Sequence, residues 1–168
     1  MRSLNDIPLI EINQIRMPFF QKLLKRMIDV VASLIAIICL TPFLILNSLI
    51  IKTNSKGPIL YFQERIGLKN KVFQIIKFRS MHVNAENSTP LLSSNNDNRI
   101  TSWGKIMRKY RIDELPQFIN VLIGEMSIVG PRPEREFFAK KILTKAPYYK
   151  LTQKVKPGIT SWGMVKFG

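Results

Sequence analysis

Two adjacent carboxylates, Asp113 and Glu114, sit in the stretch Arg111-Ile112-Asp113-Glu114-Leu115-Pro116-Gln117. The surroundings are strongly basic: between Ser102 and Lys156 there are twelve Lys and Arg residues against five acids. A carboxylate held among cations can attack an electrophile or ligate a metal ion. The plainer reading is helix capping. Leu115, Phe118, Ile119 and Leu122 recur at helical spacing, Asp113 is a natural N-cap, Pro116 is tolerated in the first turn, and Gly124 is a suitable stop. On either reading both acids lie at the positive end of a helix dipole.

The candidate phosphate-binding cations lie on both sides of this pair. Arg132 stands between Pro131 and Pro133, which stiffen the loop that presents it. A rigid guanidinium suits bidentate phosphate recognition, although an exposed arginine in an ordinary turn has the same pattern. Period-2 alternation puts Lys77 and Arg79 on one face of a strand, where a solvated strand end is the bland alternative. Arg111 directly precedes the pair.

The elements that must position these residues follow from local pattern. Phe19–Met27 reads as a short basic amphipathic helix suited to an anionic membrane surface. Residues 30–51 carry no charge, and as a helix of 22 residues they would be about 33 Å long, enough to cross a bilayer core. Thr41-Pro42 falls at the midpoint of this run, and both flanks are basic. Proline interrupts the hydrogen-bond ladder, a hydroxyl can satisfy a freed carbonyl, and basic flanks favour keeping both ends on one side. A spanning helix, a helix-break-helix that returns to the same face, and a buried core helix pair of a soluble protein all remain open. Asp29 could pair with Arg26 at the interface.

Beyond Gly57-Pro58, Ile59–Gln63 and Val72–Phe78 read as strands joined through Gly67–Asn70. Residues 84–99, with Pro90, read as a polar surface loop. Thr101 or Ser102 can cap a helix to about Tyr110, with Trp103, Ile106 and Met107 on its apolar side. Residues 134–150 read as a basic helix, or two broken at Pro147, and Lys156-Pro157-Gly158 as a turn.

Composition narrows the function classes. With 168 residues, 46% of them hydrophobic, one domain with a core is expected. The net charge of +15 implies an anionic partner: nucleic acid, anionic lipid, or a phosphorylated substrate. A single cysteine, Cys39, and a single histidine, His82, exclude a disulfide framework and a Cys- or His-rich metal site. Neither GxGxxG nor GxxxxGK[ST] occurs, so neither fingerprint signals dinucleotide or P-loop binding.

The stretches KRMIDVV (25–31), Thr41-Pro42, GPILYFQERIG (57–67), FQIIKFRSM (73–81), RIDELPQFINVLIGEMSIVGPRP (111–133) and VKPGIT (155–160) together resemble the bacterial sugar transferases. These are the monotopic polyprenyl-phosphate phosphoglycosyl transferases. The resemblance covers roughly residues 22–168, with 1–21 as a preceding linker. It implies an α+β, mainly helical fold. A re-entrant membrane segment would occupy 27–51, and a cytosolic catalytic part with a β-hairpin and amphipathic helices would occupy 52–168. It further implies a UDP-sugar donor, a polyprenyl (undecaprenyl) phosphate acceptor, Mg²⁺, contact with membrane lipids and no nucleic acid, with room for a homodimer. The expected location is the bacterial inner membrane, with the site facing the cytoplasm.

By the same resemblance Asp113 is the nucleophile of a covalent phosphosugar intermediate, with release of UMP. Glu114 holds Mg²⁺, Arg132 binds phosphate, and Lys77, Arg79 and Arg111 lie nearby. A carboxylate approaching a diphosphate meets about 4 kcal/mol of repulsion per charge pair at about 4 Å and an effective dielectric of about 20. The surplus of cations offsets that repulsion. Two departures stand out: Thr41 replaces the family's usual serine, and the family's C-terminal region usually continues past PGIT, so a truncated chain is expected. An inactive truncated relative, or a membrane-anchored basic binding module, are the alternatives.

Overall fold

The structure, a computed structural model, describes residues 3–4, 7–8, 17–83, 85 and 97–167. Most of the expected linker 1–21 and most of the expected loop 84–99, including Pro90, lie outside the described residues. Within the linker, β1 (Ser3–Leu4) pairs antiparallel with β2 (Ile7–Pro8).

The apolar run belongs to one helix, α1, spanning Phe19–Asn54. The expected interruption at Thr41-Pro42 is absent: helical backbone continues through both residues. Pro42 removes one hydrogen bond of a 36-residue helix, the donor that the Ile38 carbonyl would otherwise receive. Alongside, the Thr41 hydroxyl donates to the Ile37 carbonyl at 2.7 Å. Only 11% of the most apolar window of α1 is buried, so this is not the core helix of a globule. Its length and composition are sufficient to cross a membrane.

What α1 buries is mostly polar. Asp29, Ser33, Asn47 and Ile51 are its buried residues, and residues 29 and 47 are five full turns apart on one face. Meanwhile Leu34, Ile35, Ile38, Phe43, Ile45, Leu46 and Leu49 are exposed. The two ends of the helix dock on the same folded body. At the first end, Asp29 accepts from the Ile128 amide at 3.1 Å and from Ser127 Oγ at 2.8 Å. Lys25 pairs with Asp29 at 3.5 Å and also donates to Ser127. Arg26 does not pair with Asp29. Its guanidinium instead donates to the Val121 and Leu122 carbonyls at 2.6 and 2.8 Å, where the C-terminal end of another helix favours a cation. At the far end, Asn47 accepts from Trp103 Nε1 at 2.8 Å, and Ile51 packs with Phe78 and Met107.

The hairpin forms as expected. β3 (Leu60–Ile66) pairs antiparallel with β4 (Val72–Phe78), in register from Leu60↔Phe78 to Ile66↔Val72. Lys69 and Asn70 both have positive φ in the connecting turn, as hairpin turns of mirror-image type require. β4 runs through both small cores. Phe73 and Ile75 pack with Val121 and Met126, while Phe78 packs with Ile51 and Met107. Lys77 therefore lies where the strand passes from one cluster to the other.

α2 (Ser102–Lys109) is capped by Thr101, whose hydroxyl accepts from the Gly104 amide at 2.9 Å. Met107 is fully buried, but Ile106 is exposed rather than part of the packed side. Next come a 3-10 turn at Ile112–Glu114 and helix α3 (Gln117–Ile123), which ends at Gly124 with φ 99°. The buried side of α3 is Gln117, Asn120 and Val121, whereas Ile119 and Ile123 are exposed. Of the apolar pattern, Leu115, Phe118 and Leu122 are half-buried and Ile119 is exposed. β5 (Ser127–Val129) pairs parallel with β6 (Gly158–Thr160). At Gly158 an added Cβ would lie 2.1 Å from the Gly130 nitrogen, so only glycine permits this approach. Between these strands lie α4 (Glu136–Lys145) and a 3-10 segment, Pro147–Lys154. A short α5 (Trp162–Phe167) follows β6.

Candidate active site

The acidic pair is held by the 3-10 turn, not by a helix cap. Arg111 enters the turn with φ 56°, and no side chain caps it. Asp113 is therefore not an N-cap, because Pro116 offers no N–H and delays the α-helix to Gln117. Both carboxylates are nonetheless buried, at 8% exposure each.

Glu114 is the hub of the charges. Its Oε1 receives Lys77 Nζ at 3.0 Å and Arg132 Nη2 at 3.2 Å, and its Oε2 lies 3.9 Å from Arg111 Nη1. Residues 77, 111, 114 and 132, distant in sequence, thus meet at one carboxylate. Asp113 lies outside these ion pairs.

Electrostatics separates the two acids. Burial pushes the Asp113 carboxyl up; Lys77 opposes this, and the neighbouring Glu114 charge adds to it, leaving it above 3.8. Burial also acts upward on Glu114, but Lys77 and Arg132 outweigh it and hold it below its ordinary 4.5. Lys77 is itself lowered, by burial first, with Glu114 opposing. Neighbouring carboxyls driven apart in this way are the usual mark of divided roles.

Arg79 does not join this cluster. β4 ends at Phe78, the alternation ends with it, and the Arg79 amide bonds the Ile59 carbonyl at 2.9 Å. The guanidinium turns to the C-terminal end of α1 and donates to the Ser55 carbonyl at 2.7 Å and to Ser55 Oγ at 2.9 Å. It ties the hairpin to α1. Thr41 and Pro42 lie mid-way along α1, both exposed, and make no contact with the ion-pair cluster.

Three residues of the site were not singled out from sequence. Arg65 donates to the Pro133 carbonyl at 3.0 Å and pairs with Glu134 at 3.5 Å, bracing the loop that carries Arg132. Its place two residues after Gln63 on one strand face was a usable signal, since Gln63 Oε1 accepts from Arg65 Nε and Nη2. Arg108 donates to Ser80 Oγ at 2.9 Å and draws the Asp113 pKa down. Gln117, 2% exposed, faces the Lys77–Glu114–Arg132 group across a small cavity. A second cleft of about 290 Å³ opens on the other side of Glu114, lined mainly by apolar side chains including Tyr110, Leu115, Phe118, Ile159 and Met164.

A hard divalent cation such as Mg²⁺ takes oxygen ligands, commonly one or two carboxylates completed by phosphate oxygens and water. Asp113 and Glu114 match that donor set. No group of three or more His, Cys, Asp or Glu residues that could hold a metal ion occurs among the described residues. Such an ion would share Glu114 with the cations now on it.

The order of motifs along the chain and this geometry lead to one family. The chain belongs to the bacterial sugar transferase family, which it matches over residues 20–168. It is 43% identical over 145 residues to an Aeromonas hydrophila protein named UDP-N-acetylgalactosamine-undecaprenyl-phosphate N-acetylgalactosaminephosphotransferase. That alignment covers 86% of this chain and 34% of the relative. The Escherichia coli K12 UDP-glucose:undecaprenyl-phosphate glucose-1-phosphate transferase is 36% identical over 165 residues, covering 98% and 36% of the two chains. A Caulobacter vibrioides relative with that same name is 40% identical over 142 residues, covering 84% and 53%. The bacterial sugar transferase chain described here spans about a third of the length of the first two relatives and about half of the third.

Proposed function

We propose that the protein transfers a sugar-1-phosphate from a UDP-sugar to a membrane polyprenyl phosphate. One observation carries this reading: Asp113 is buried and, among the described residues, makes no ion pair, while the adjacent Glu114 gathers Lys77, Arg111 and Arg132. One carboxylate can attack while its neighbour organises positive charge for a phosphoryl group. The names of the relatives support the substrate class.

In the first half-reaction an Asp113 oxygen forms a bond to the phosphorus bearing the sugar. The diphosphate P–O bond breaks, and its electron pair leaves with UMP. In the second, an oxygen of the polyprenyl phosphate forms a bond to that phosphorus, and the Asp113 carboxylate departs intact. Lys77 and Arg132 neutralise the non-bridging oxygens in both steps, and Arg65 keeps Arg132 in place through the Pro133 carbonyl. Burial excludes water that would hydrolyse the acyl phosphate. A bound Mg²⁺, held by Glu114, would supply Lewis-acid charge to the phosphates.

The acceptor is amphiphilic, and the site has matching halves. The cations face Glu114 on one side, and the mostly apolar cleft adjoins it on the other. The docking of α1 supports a one-sided membrane attachment. Both of its ends contact one folded body, through Asp29–Ile128 and Asn47–Trp103. A helix crossing a bilayer could not keep both of those contacts with a body lying on one side of the hydrocarbon. The exposed apolar face of α1 then lies in the lipid, with the site at the level of the lipid phosphate. The locale that follows is the cytoplasmic face of a bacterial inner membrane.

The test is UMP release from a panel of UDP-sugars by the chain in lipid nanodiscs with undecaprenyl phosphate and Mg²⁺. Turnover with at least one donor is expected, and Asp113→Asn is expected to abolish it. Wild-type turnover by Asp113→Asn would refute the nucleophile. Salt-sensitive lipid binding with no turnover of any donor would leave the anchored binding module as the better reading.

A further inference from the structure

A narrow cavity of about 10 Å³ beside Glu114, with room for about one oxygen atom, contains a donor with nothing to donate to. Gln117 is 2% exposed, and its Nε2 is buried without a hydrogen-bond partner. Buried polar groups are almost always paired, so an orphan marks a place that another molecule completes. The chemistry of the walls names that molecule. Arg65, Lys77 and Arg132 line the cavity along with Gln117 and Glu114. The donors outnumber the acceptors: Glu114 is the carboxylate there, and its Oε1 is already shared by Lys77 and Arg132. Arg65, Lys77, Arg132 and the Gln117 amide are all donors. An oxygen-rich anion is favoured by all of them.

We propose that Gln117 is a substrate-contacting residue whose side-chain amide donates to a non-bridging oxygen of the phosphoryl group bound by Lys77 and Arg132. The proposal rests on the phosphoryl-transfer reading above. Backbone geometry delivers Gln117 to this place: it is the first residue of α3, directly after Pro116, and it shares the cavity with Ile75 and Lys77 of β4. That turn follows Asp113 and Glu114 directly, so attacking carboxylate and phosphate donor share one short rigid segment.

The experiment is calorimetric titration of inorganic pyrophosphate into the full chain in nanodiscs, with thermal unfolding of each protein in parallel. Gln117→Met keeps the side chain's length and volume and removes the donor. Gln117→Glu keeps its shape and puts a negative charge among the cations. Lys140→Ala, on the exposed face of α4, is the control. Wild type and Lys140→Ala are expected to bind alike. Gln117→Met should bind about ten-fold to a hundred-fold more weakly, as expected for loss of one hydrogen bond to a charged acceptor. Gln117→Glu should bind more weakly still, with both melting temperatures close to wild type. Equal affinity of wild type and Gln117→Met overturns the proposal and leaves an ordered water as the occupant. A lower melting temperature in Gln117→Met with unchanged affinity also overturns it, in favour of a structural role. Failure of wild type itself to bind pyrophosphate overturns the phosphoryl-site reading, a result distinct from the other two.

Discussion

Lys77→Met is the perturbation from which the site's electrostatics can be read most directly. Lys77 Nζ lies 3.0 Å from Glu114 Oε1, with side-chain exposures of 14% and 10%. At that distance and an effective dielectric of about 20 the attraction is about 5.5 kcal/mol, from 332/(20 × 3.0). The loss on mutation is smaller, because Arg132 stays 3.2 Å from the same oxygen and Met fills the volume of the lysine stem. Removing one partner of a fully orphaned buried pair costs about 3–5 kcal/mol, so about 2–3 kcal/mol is expected here. For a domain of this size that is a fall in Tm of about 4–12 °C.

The pH dependence is fixed in sign. The Glu114 carboxyl is held below 4.5, so its stabilising contribution is complete above pH 4.5 and is lost as pH falls through the lower folded value. The gap in Tm between variant and wild type should therefore narrow in acid. Asp113 moves the opposite way. Burial already holds it above 3.8 and Lys77 opposes that rise, so its pKa climbs further without the ammonium. If ionised Asp113 is the attacking group, the acid limb of UMP release shifts to higher pH in Lys77→Met. Thermal unfolding across pH, paired with a pH–rate profile, measures both effects. A Tm within 1 °C of wild type together with an unmoved acid limb would refute the account.

Other expectations follow from single contacts. Arg132→Lys retains charge but loses the planar fork, so the KM for a UDP-sugar should rise about ten-fold, measured by UMP release; an unchanged KM would remove Arg132 from phosphate recognition. Glu114→Gln should weaken the dependence of rate on Mg²⁺ concentration, and an identical Mg²⁺ titration would exclude Glu114 as its ligand. Gly158→Ala forces a methyl against the Gly130 nitrogen and should destabilise the fold by about 3 kcal/mol in denaturant unfolding. Wild-type stability there would mean that the β5–β6 pairing relaxes at little cost. In a Cys39→Ser background, a cysteine at position 56 should resist a membrane-impermeant thiol reagent in intact cells; labelling there would mean that α1 spans the membrane.

Some of this protein was legible residue by residue. The uncharged run, the hairpin with its turn, the Thr101 cap and the Gly124 stop all follow from neighbours within a few positions, because backbone propensity and periodicity act at that range. The motifs likewise pointed to Asp113, Glu114 and Arg132 as a group. The partners were another matter. Period-2 alternation put Arg79 on the face of Lys77 and the family resemblance implied a place near the site, but the strand ended one residue earlier and Ser55 claimed the guanidinium. Helical spacing marked Ile119 as core, yet the packed face of α3 is Gln117, Asn120 and Val121. Asp29 looked destined for Arg26 and instead binds a strand some hundred residues away. Which carboxylate stays free, which cations surround the other, and where an unpaired amide is buried depend on contacts between distant segments. Local sequence carries no term for those contacts, since burial and charge proximity exist only once the chain has closed on itself.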